Sequence, residues 1–429
     1  MQQLAHAPAE LVAVRKARPR VLRPNSVLLV LSIMYLVFYI DRVNIATAAP
    51  LIQHDLKLNN LELGLAFSAF AYPYALFQMF GGWFGDRFGV RRTLGFAGVV
   101  VSIATALTGA VTVLGGLVLS RLMLGFGEGA VFPTAARALA EYLPRERWGF
   151  AQGVTHACAR VANALTPPLV AFAVIYVSWR FTFVAFALLS LSWTVLAIGF
   201  FRAPGQSKAT ATGAARPKLP WFRLARRMLP ATAVDFCYGW TLWVFLTWLP
   251  SFFFKNFHLN LQDAAFFAAA VLLAGVLGDI VGGALSDWIL VRTGDATRAR
   301  RAVIVLGLLG ATAFLIPILF VRDLTAVTIC LGCAFFCVEL VVAPIWSAAM
   351  GIAPDFVGTA SGMMNLGFGV AGIISPLVFG AIIDATHSWT LPFGASILLL
   401  PIGAVLAFAI KPGKPFVATP APRLEVVAR

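Results

Sequence analysis

Apolar residues run along this chain in long stretches separated by short polar segments. Twelve can be marked, at roughly 26–50, 62–84, 93–113, 115–141, 149–175, 179–201, 229–254, 264–290, 301–321, 324–351, 357–383 and 389–410. Each is near the ~20 residues that a helix needs to cross a bilayer. The pattern predicts an all-α membrane protein with twelve transmembrane helices. The first 25 residues are polar and basic and are expected to form a tail rather than a cleaved leader.

The pattern also repeats. GWFGD (Gly82–Asp86) after the second stretch matches GALSD (Gly283–Asp287) after the eighth, an offset of 283 − 82 = 201 positions. GFAQG (Gly149–Gly153) opens the fifth stretch and GTASG (Gly358–Gly362) opens the eleventh, and a Pro-Leu-Val follows each, at Pro168–Val170 and Pro376–Val378. Three matches in the same order predict a duplicated unit. Two repeated six-helix halves around a central aqueous site are a transporter architecture. The expected division is a tail at 1–25, a first half at 26–201, a linker at 202–228, a second half at 229–410 and a tail at 411–429.

Composition sharpens this. The chain is 60% hydrophobic and 12% charged, whereas soluble domains run near a quarter charged. Its net charge of +15 would suit nucleic acid if it lay on one soluble face. The basic residues instead collect in the tails, the 202–228 linker and alternate loops, among them Arg87, Arg91, Arg92, Arg292, Arg298, Arg300 and Arg301. That asymmetry argues against nucleic acid as a partner and predicts that both termini and the linker are cytoplasmic, with the lipid bilayer as surroundings. Cys330, Cys333 and Cys337 share a helix face without a histidine, so no metal site or cofactor is expected.

Charges inside the apolar stretches carry the chemistry. Asp41 and Arg42 lie about 15 residues into the first, ~22 Å along a helix rising 1.5 Å per residue. Each costs about 2.5–3.5 kcal/mol at the centre of a spanning helix. Neighbours on a helix point about 100° apart, so partners are expected across the bundle. The fourth stretch holds Arg121 and Glu128 on one face, with Gly125, Gly127 and Gly129 allowing another backbone to approach. Static salt bridges between the two helices are the structural reading; intramembrane ionisable residues are more often functional. Arg137 lies further along, toward the cytoplasmic end. His156, Arg160 and Asn163 form a polar stripe on the fifth stretch, read either as a snorkelling edge or as part of a site. Asp235 reads as an interface residue near the start of the seventh, and Tyr238 as a cavity residue. Glu339 needs a role or a partner. In the loop GDRFGVRR, Asp86, Arg87, Arg91 and Arg92 read as a cytoplasmic charge cluster that braces helix ends in one conformation, with Asp287 as its echo; plain positive-inside topology is the alternative.

These residues resemble the major facilitator superfamily, whose loop signature G-x3-D-R-x-G-x-R-R is matched by Gly82, Asp86, Arg87, Gly89, Arg91 and Arg92. Within it the chain is similar to the anion:cation symporters, which include bacterial sugar-acid transporters and sialin-like proteins. The segments YIDRVN in the first stretch, RLMLGFGEGAVFP in the fourth and WLP (Trp248–Pro250) in the seventh carry this likeness, which extends over all twelve stretches. It implies that Arg42 and Arg121 bind a substrate carboxylate, that Asp41 and Glu128 carry the coupling proton, and that Tyr39, Tyr74 and Asn365 contact a sugar acid. His156, Arg160 and Glu339 depart from the family pattern, and a second cationic site would suit a doubly charged anion. The resulting expectation is a monomeric symporter that takes up a small organic anion with protons, with Arg42 and Arg121 facing a shared aqueous chamber. A proton-coupled exporter of drugs or neutral solutes is the alternative. A membrane enzyme is disfavoured, since no nucleophile–base set is evident, and the short linker and tails leave no room for the output domain of a sensor.

Overall fold

The computed structural model describes residues 22–58, 60–201, 219–259 and 261–417. The first half comprises α1 (Pro24–Leu56), α2 (Asn60–Phe88), α3 (Val90–Ala110), α4 (Leu114–Tyr142), α5 (Trp148–Tyr176) and α6 (Trp179–Phe200). The second comprises α7 (Trp221–Asn256), α8 (Leu261–Thr293), α9 (Ala296–Leu315), α10 (Leu324–Glu339), α11 (Val342–Ile352), α12 (Val357–Thr386) and α13 (Phe393–Leu406). Since α10 and α11 together occupy the tenth apolar stretch, the thirteen helices make twelve spans. Among the described residues, eight of these spans are long and apolar enough by themselves to cross a membrane. The others, α2, α5, α7 and α13, take the places of the second, fifth, seventh and twelfth stretches. Large apolar side chains such as Phe96, Leu119, Phe181, Leu188, Leu277 and Leu398 are exposed on the outer faces, as contact with lipid requires.

Short polar segments set the helix boundaries. Asp295 caps α9 by accepting from the backbone N–H of Thr297 at 2.7 Å and of Arg298 at 3.1 Å, and Asp323 caps α10 through Ala326 N–H at 2.8 Å. Gly89 and Gly294 turn the chain after α2 and α8 at φ 84° and 65°, a backbone region that glycine enters without strain.

Two features depart from the hydropathy pattern. The seventh helix begins at Trp221, not near 229. Its first turns are amphipathic: Leu224 and Met228 are buried while Arg223 and Arg226 are exposed, so charge hides the helix from a hydropathy count. Asp235 therefore lies well inside α7, almost wholly buried and accepting from Phe368 N–H at 3.3 Å, rather than at an interface. The tenth stretch is broken at Leu340–Val341. Pro344 lacks an N–H and its ring crowds the carbonyl four residues back, that of Leu340. That freed backbone lies against Gly282 of α8, where a Cβ would meet Leu340 Cα at 2.7 Å. The tail residues 1–21 and 418–429 and most of the predicted linker, 202–218, lie outside the described residues.

The halves meet along α2 with α12 and α5 with α8, both through glycine. Gly82 lies against the backbone of Gly358, and Gly362 against that of Gln78. Gly283 lies against Gly149, and Gly153 against Asp279. The paired positions differ by the same 201 (82 and 283; 78 and 279), so the second contact repeats the first.

Candidate functional site

A small cavity of about 20 Å³ lies between the halves, enough for roughly one water. Tyr39, Tyr74, Phe132, His156 and Arg160 wall it from the first half, and Tyr238, Trp346, Asn365 and Phe368 from the second. The predicted residues Tyr39, Tyr74, His156, Arg160, Tyr238 and Asn365 are thus brought together. Arg42 and Arg121 are not in this wall. Arg42 stands one layer behind, its guanidinium 4.5 Å from the Tyr39 ring and 4.4 Å from that of Tyr74, with Phe70 and Phe132 at 5.1 and 5.2 Å. With the centre packed this closely, the two tyrosines cover the cation and gain its attraction to their π-faces.

Behind the tyrosines, Arg42 pairs with Glu128. Nε donates to Oε2 at 2.8 Å and Nη2 lies 2.6 Å from the same oxygen, with Glu128 fully buried. Removing one partner of such a pair leaves an uncompensated charge at about 3–5 kcal/mol. Arg121, on the same face of α4 as Glu128, donates to the backbone carbonyl of Arg42 at 3.1 Å and lies 5.3 Å from the Phe70 ring. Asp41 turns the other way and accepts from the hydroxyl of Ser190 on α6. The four groups form one dry cluster of two cations and two carboxyls.

The polar stripe of α5 points inward. His156 Nδ1 donates to Gln152 O at 2.9 Å, and the ring lies between those of Tyr35 and Trp346, with centroids at 4.9 and 5.4 Å. Arg160 donates to Glu339 from Nε at 2.8 Å and from Nη2 at 3.0 Å, a forked pair that reaches from the first half to the second. Tyr238 accepts from Arg160 at 3.2 Å and donates to Glu339 at 3.1 Å. Asp279 of α8, fully buried, sits 3.8 Å from Arg160 Nε. Sequence reasoning missed Asp279. The available signal was a lone carboxyl deep in an apolar stretch, 201 positions after Gln78.

Asp86 and Asp287 each hold a helix N-terminus of the opposite half. Asp86 accepts from Gly358 N–H at 2.9 Å, Thr359 N–H at 2.6 Å and the Thr359 hydroxyl at 2.6 Å. Asp287 accepts from Gly149 N–H at 3.1 Å and Phe150 N–H at 2.7 Å. N-terminal N–H groups and the helix dipole both favour a carboxylate there. Asp86 pairs with Arg137 at 2.7 Å, and Asp287 with Arg300 at 2.5 Å. Arg87 stacks near Trp83 at 5.6 Å, Arg91 donates to Ile198 O at 3.0 Å, and Arg92 borders an apolar crevice of about 320 Å³ between α2, α3 and α4. Five of its eleven lining residues are phenylalanines, and it offers an anion little beyond Arg92.

The sequence profile of the Major Facilitator Superfamily matches residues 31–376. A probable sulfoacetate transporter of Cupriavidus necator is 44% identical over 410 residues, covering 92% of this chain and 95% of the relative. A hexuronate transporter of Bacillus subtilis is 29% identical over 413 residues, covering 92% and 96%. Among solved structures, the superfamily transporter FucP in its outward conformation superposes with a TM-score of 0.72 at 15% identity, covering 89% of this chain and 97% of that one.

Proposed function

The chain belongs to the major facilitator superfamily, and on that premise we propose that it is a secondary transporter that takes up a small organic anion together with protons. It is a transporter rather than an enzyme, and its relatives carry organic anions. The observation that carries the finer reading is the Arg42–Glu128 pair, held dry one side-chain layer behind the tyrosines of a cavity between the halves.

When Tyr39 and Tyr74 part, an anionic group of the cargo reaches Arg42 and displaces Glu128 as its partner. A carboxylate left alone in the dry cluster is unstable as an ion and takes a proton. Arg121 holds the same anionic group, and Asp41 exchanges a proton through its contact with Ser190. The site is then no more charged than when empty, and the halves can rock past it. Asp86 and Asp287 hold the basic, cytoplasmic face closed until that rocking separates α2 from α12 and α5 from α8. Cargo and proton favour each other's binding, because each removes the obstacle to the other.

The test is uptake of radiolabelled sulfoacetate and glucuronate into proteoliposomes. An inward proton gradient is expected to drive accumulation above the external concentration, and its collapse to return uptake to equilibration. Uptake of both acids that ignores the gradient refutes proton coupling, and failure to move any anion refutes the cargo class.

A further inference from the structure

The charge group on the opposite wall of the cavity does not balance. Around Arg42 there are two guanidinium groups, Arg42 and Arg121, and two carboxyls, Asp41 and Glu128. Around Arg160 there is one guanidinium against two carboxyls, Glu339 and Asp279, and no residue of the three is more than 4% exposed. Glu339 takes both strong hydrogen bonds from Arg160. Outside this cluster neither oxygen of Asp279 has a hydrogen-bond partner among the described residues. The other titratable groups near this acid are Cys158 on α5, Tyr238 on α7 and Tyr35 on α1, none of them a cation. His156, beside Arg160, is engaged with Gln152 O.

With both carboxyls ionised, the cluster would hold an uncompensated negative charge in the dry core, at several kcal/mol. One proton removes it. The place of Asp279 in the repeat supports this count, since its counterpart in the first half is Gln78, a neutral amide that is also fully buried. The surroundings are built for exchange. Arg160 lines the cavity while Glu339 stands behind it, at the last residue of α10 where the span is broken. Broken helices are where transporters of this architecture place ions and substrate. Gly275 and Gly278 bring α8 onto the Glu339 stem; a Cβ at Gly278 would lie 2.9 Å from Glu339 Cβ.

We propose that Asp279 and Glu339 form a second proton-exchanging pair, holding one proton when the cavity is empty and two when an anionic group of the cargo displaces Glu339 from Arg160, so that the cargo is an organic dianion with one end for each arginine site. This rests on the transport reading above. The charges close in both states. Empty, Arg160 is balanced by Glu339 while Asp279 carries the proton. Loaded, Arg160 is balanced by the cargo while both acids are protonated. The added proton comes from water on the uptake side and leaves with the cargo on the other.

The experiment measures the reversal potential of radiolabelled sulfoacetate flux in proteoliposomes at fixed pH gradients, which gives protons per cargo molecule. The double variant Asp279→Asn/Glu339→Gln, which leaves no acid to exchange beside Arg160, is expected to carry one proton fewer than the parent, so that an inside-negative potential opposes its uptake more strongly; in either single variant the remaining acid pairs with Arg160 when the cavity is empty and takes the proton when it is loaded, so the parent ratio is kept. A parental ratio in the double variant overturns the proposal. Proton-coupled sulfoacetate uptake by the parent separates the two readings: without it the transport reading itself falls, whereas with it and an unchanged ratio in the double variant only this inference falls. If that variant cannot be recovered, the purified parent is used. Sulfoacetate added in weak buffer is expected to draw at least one more proton per protein than the monoanion methanesulfonate, and equal counts overturn the proposal.

Discussion

Replacing Asp86 with asparagine should shift the protein away from the arrangement described here. Asp86 accepts three hydrogen bonds from the N-terminal turn of α12 and pairs with Arg137 at 2.7 Å. Asparagine keeps one acceptor oxygen and turns an NH2 group toward the remaining donors. A hydrogen bond to a charged group contributes about 1.5–3 kcal/mol. The attraction of a carboxylate to a helix N-terminus adds about 0.3–1 kcal/mol. Losing one such bond with that attraction gives about 2–4 kcal/mol, or about thirty- to a thousandfold in an equilibrium constant at 1.4 kcal/mol per decade. The bonds join α2 to α12 only while these helices touch, so the whole loss falls on the arrangement closed at the basic face. The assay uses a background in which Cys158, Cys237, Cys330, Cys333 and Cys337 are replaced and Ser361→Cys, fully buried behind the contact, is introduced. Labelling by a membrane-impermeant maleimide from the basic face should accelerate by at least about thirtyfold, the lower end of that range. An unchanged labelling rate in both Asp86→Asn and Asp287→Asn would refute the view that these carboxylates hold the face shut.

Glu128→Gln should retain exchange of unlabelled for labelled anion across the membrane while losing accumulation driven by a pH gradient; full accumulation contradicts its place in coupling. Gly358→Val should force α2 from α12, since a Cβ there already lies 3.1 Å from Asp86 Oδ1 and meets the Gly82 backbone. Transport should fall by more than about tenfold in a protein that still melts cooperatively, because overpacking of about 1–3 kcal/mol falls on one conformation. Pro344→Ala should mend the break after Glu339 and weaken uptake of sulfoacetate more than uptake of a monoanion, as read from the two KM values; equal effects on both would detach the break from recognition.

Much of the fold was legible because lipid imposes one rule on every span: apolar side chains outside and backbone hydrogen bonds within. The charges of α1 and α4 stood out for the same reason. Other parts of the site depend on facts that hydropathy does not carry. Asp279 is a single acid in an otherwise apolar stretch, and its importance comes from two charged neighbours on α5 and α10, distant in sequence. Asp235 was read at an interface because Arg223, Arg226 and Arg227 hid the first turns of its helix. The basic residues next to Asp86 in sequence drew attention from Arg137, 51 positions away. Arg42 was expected to face an aqueous chamber and instead stands behind Tyr39 and Tyr74, because a cation gains more from two aromatic faces than from a cavity too small to hydrate it.

The two carboxylate contacts are the same contact used twice, since the second span of each half reaches the fifth span of the other. Such an arrangement is self-complementary, with patch i meeting patch j and j meeting i, as in a dimer with two-fold symmetry. A chain of half this length bearing one GxxxD segment and one glycine-led helix would already carry everything needed to dock on its twin. Fusion of two such units would leave the docking intact while freeing the interior of each to diverge, as it has where Gln78 faces one side and Asp279 the other.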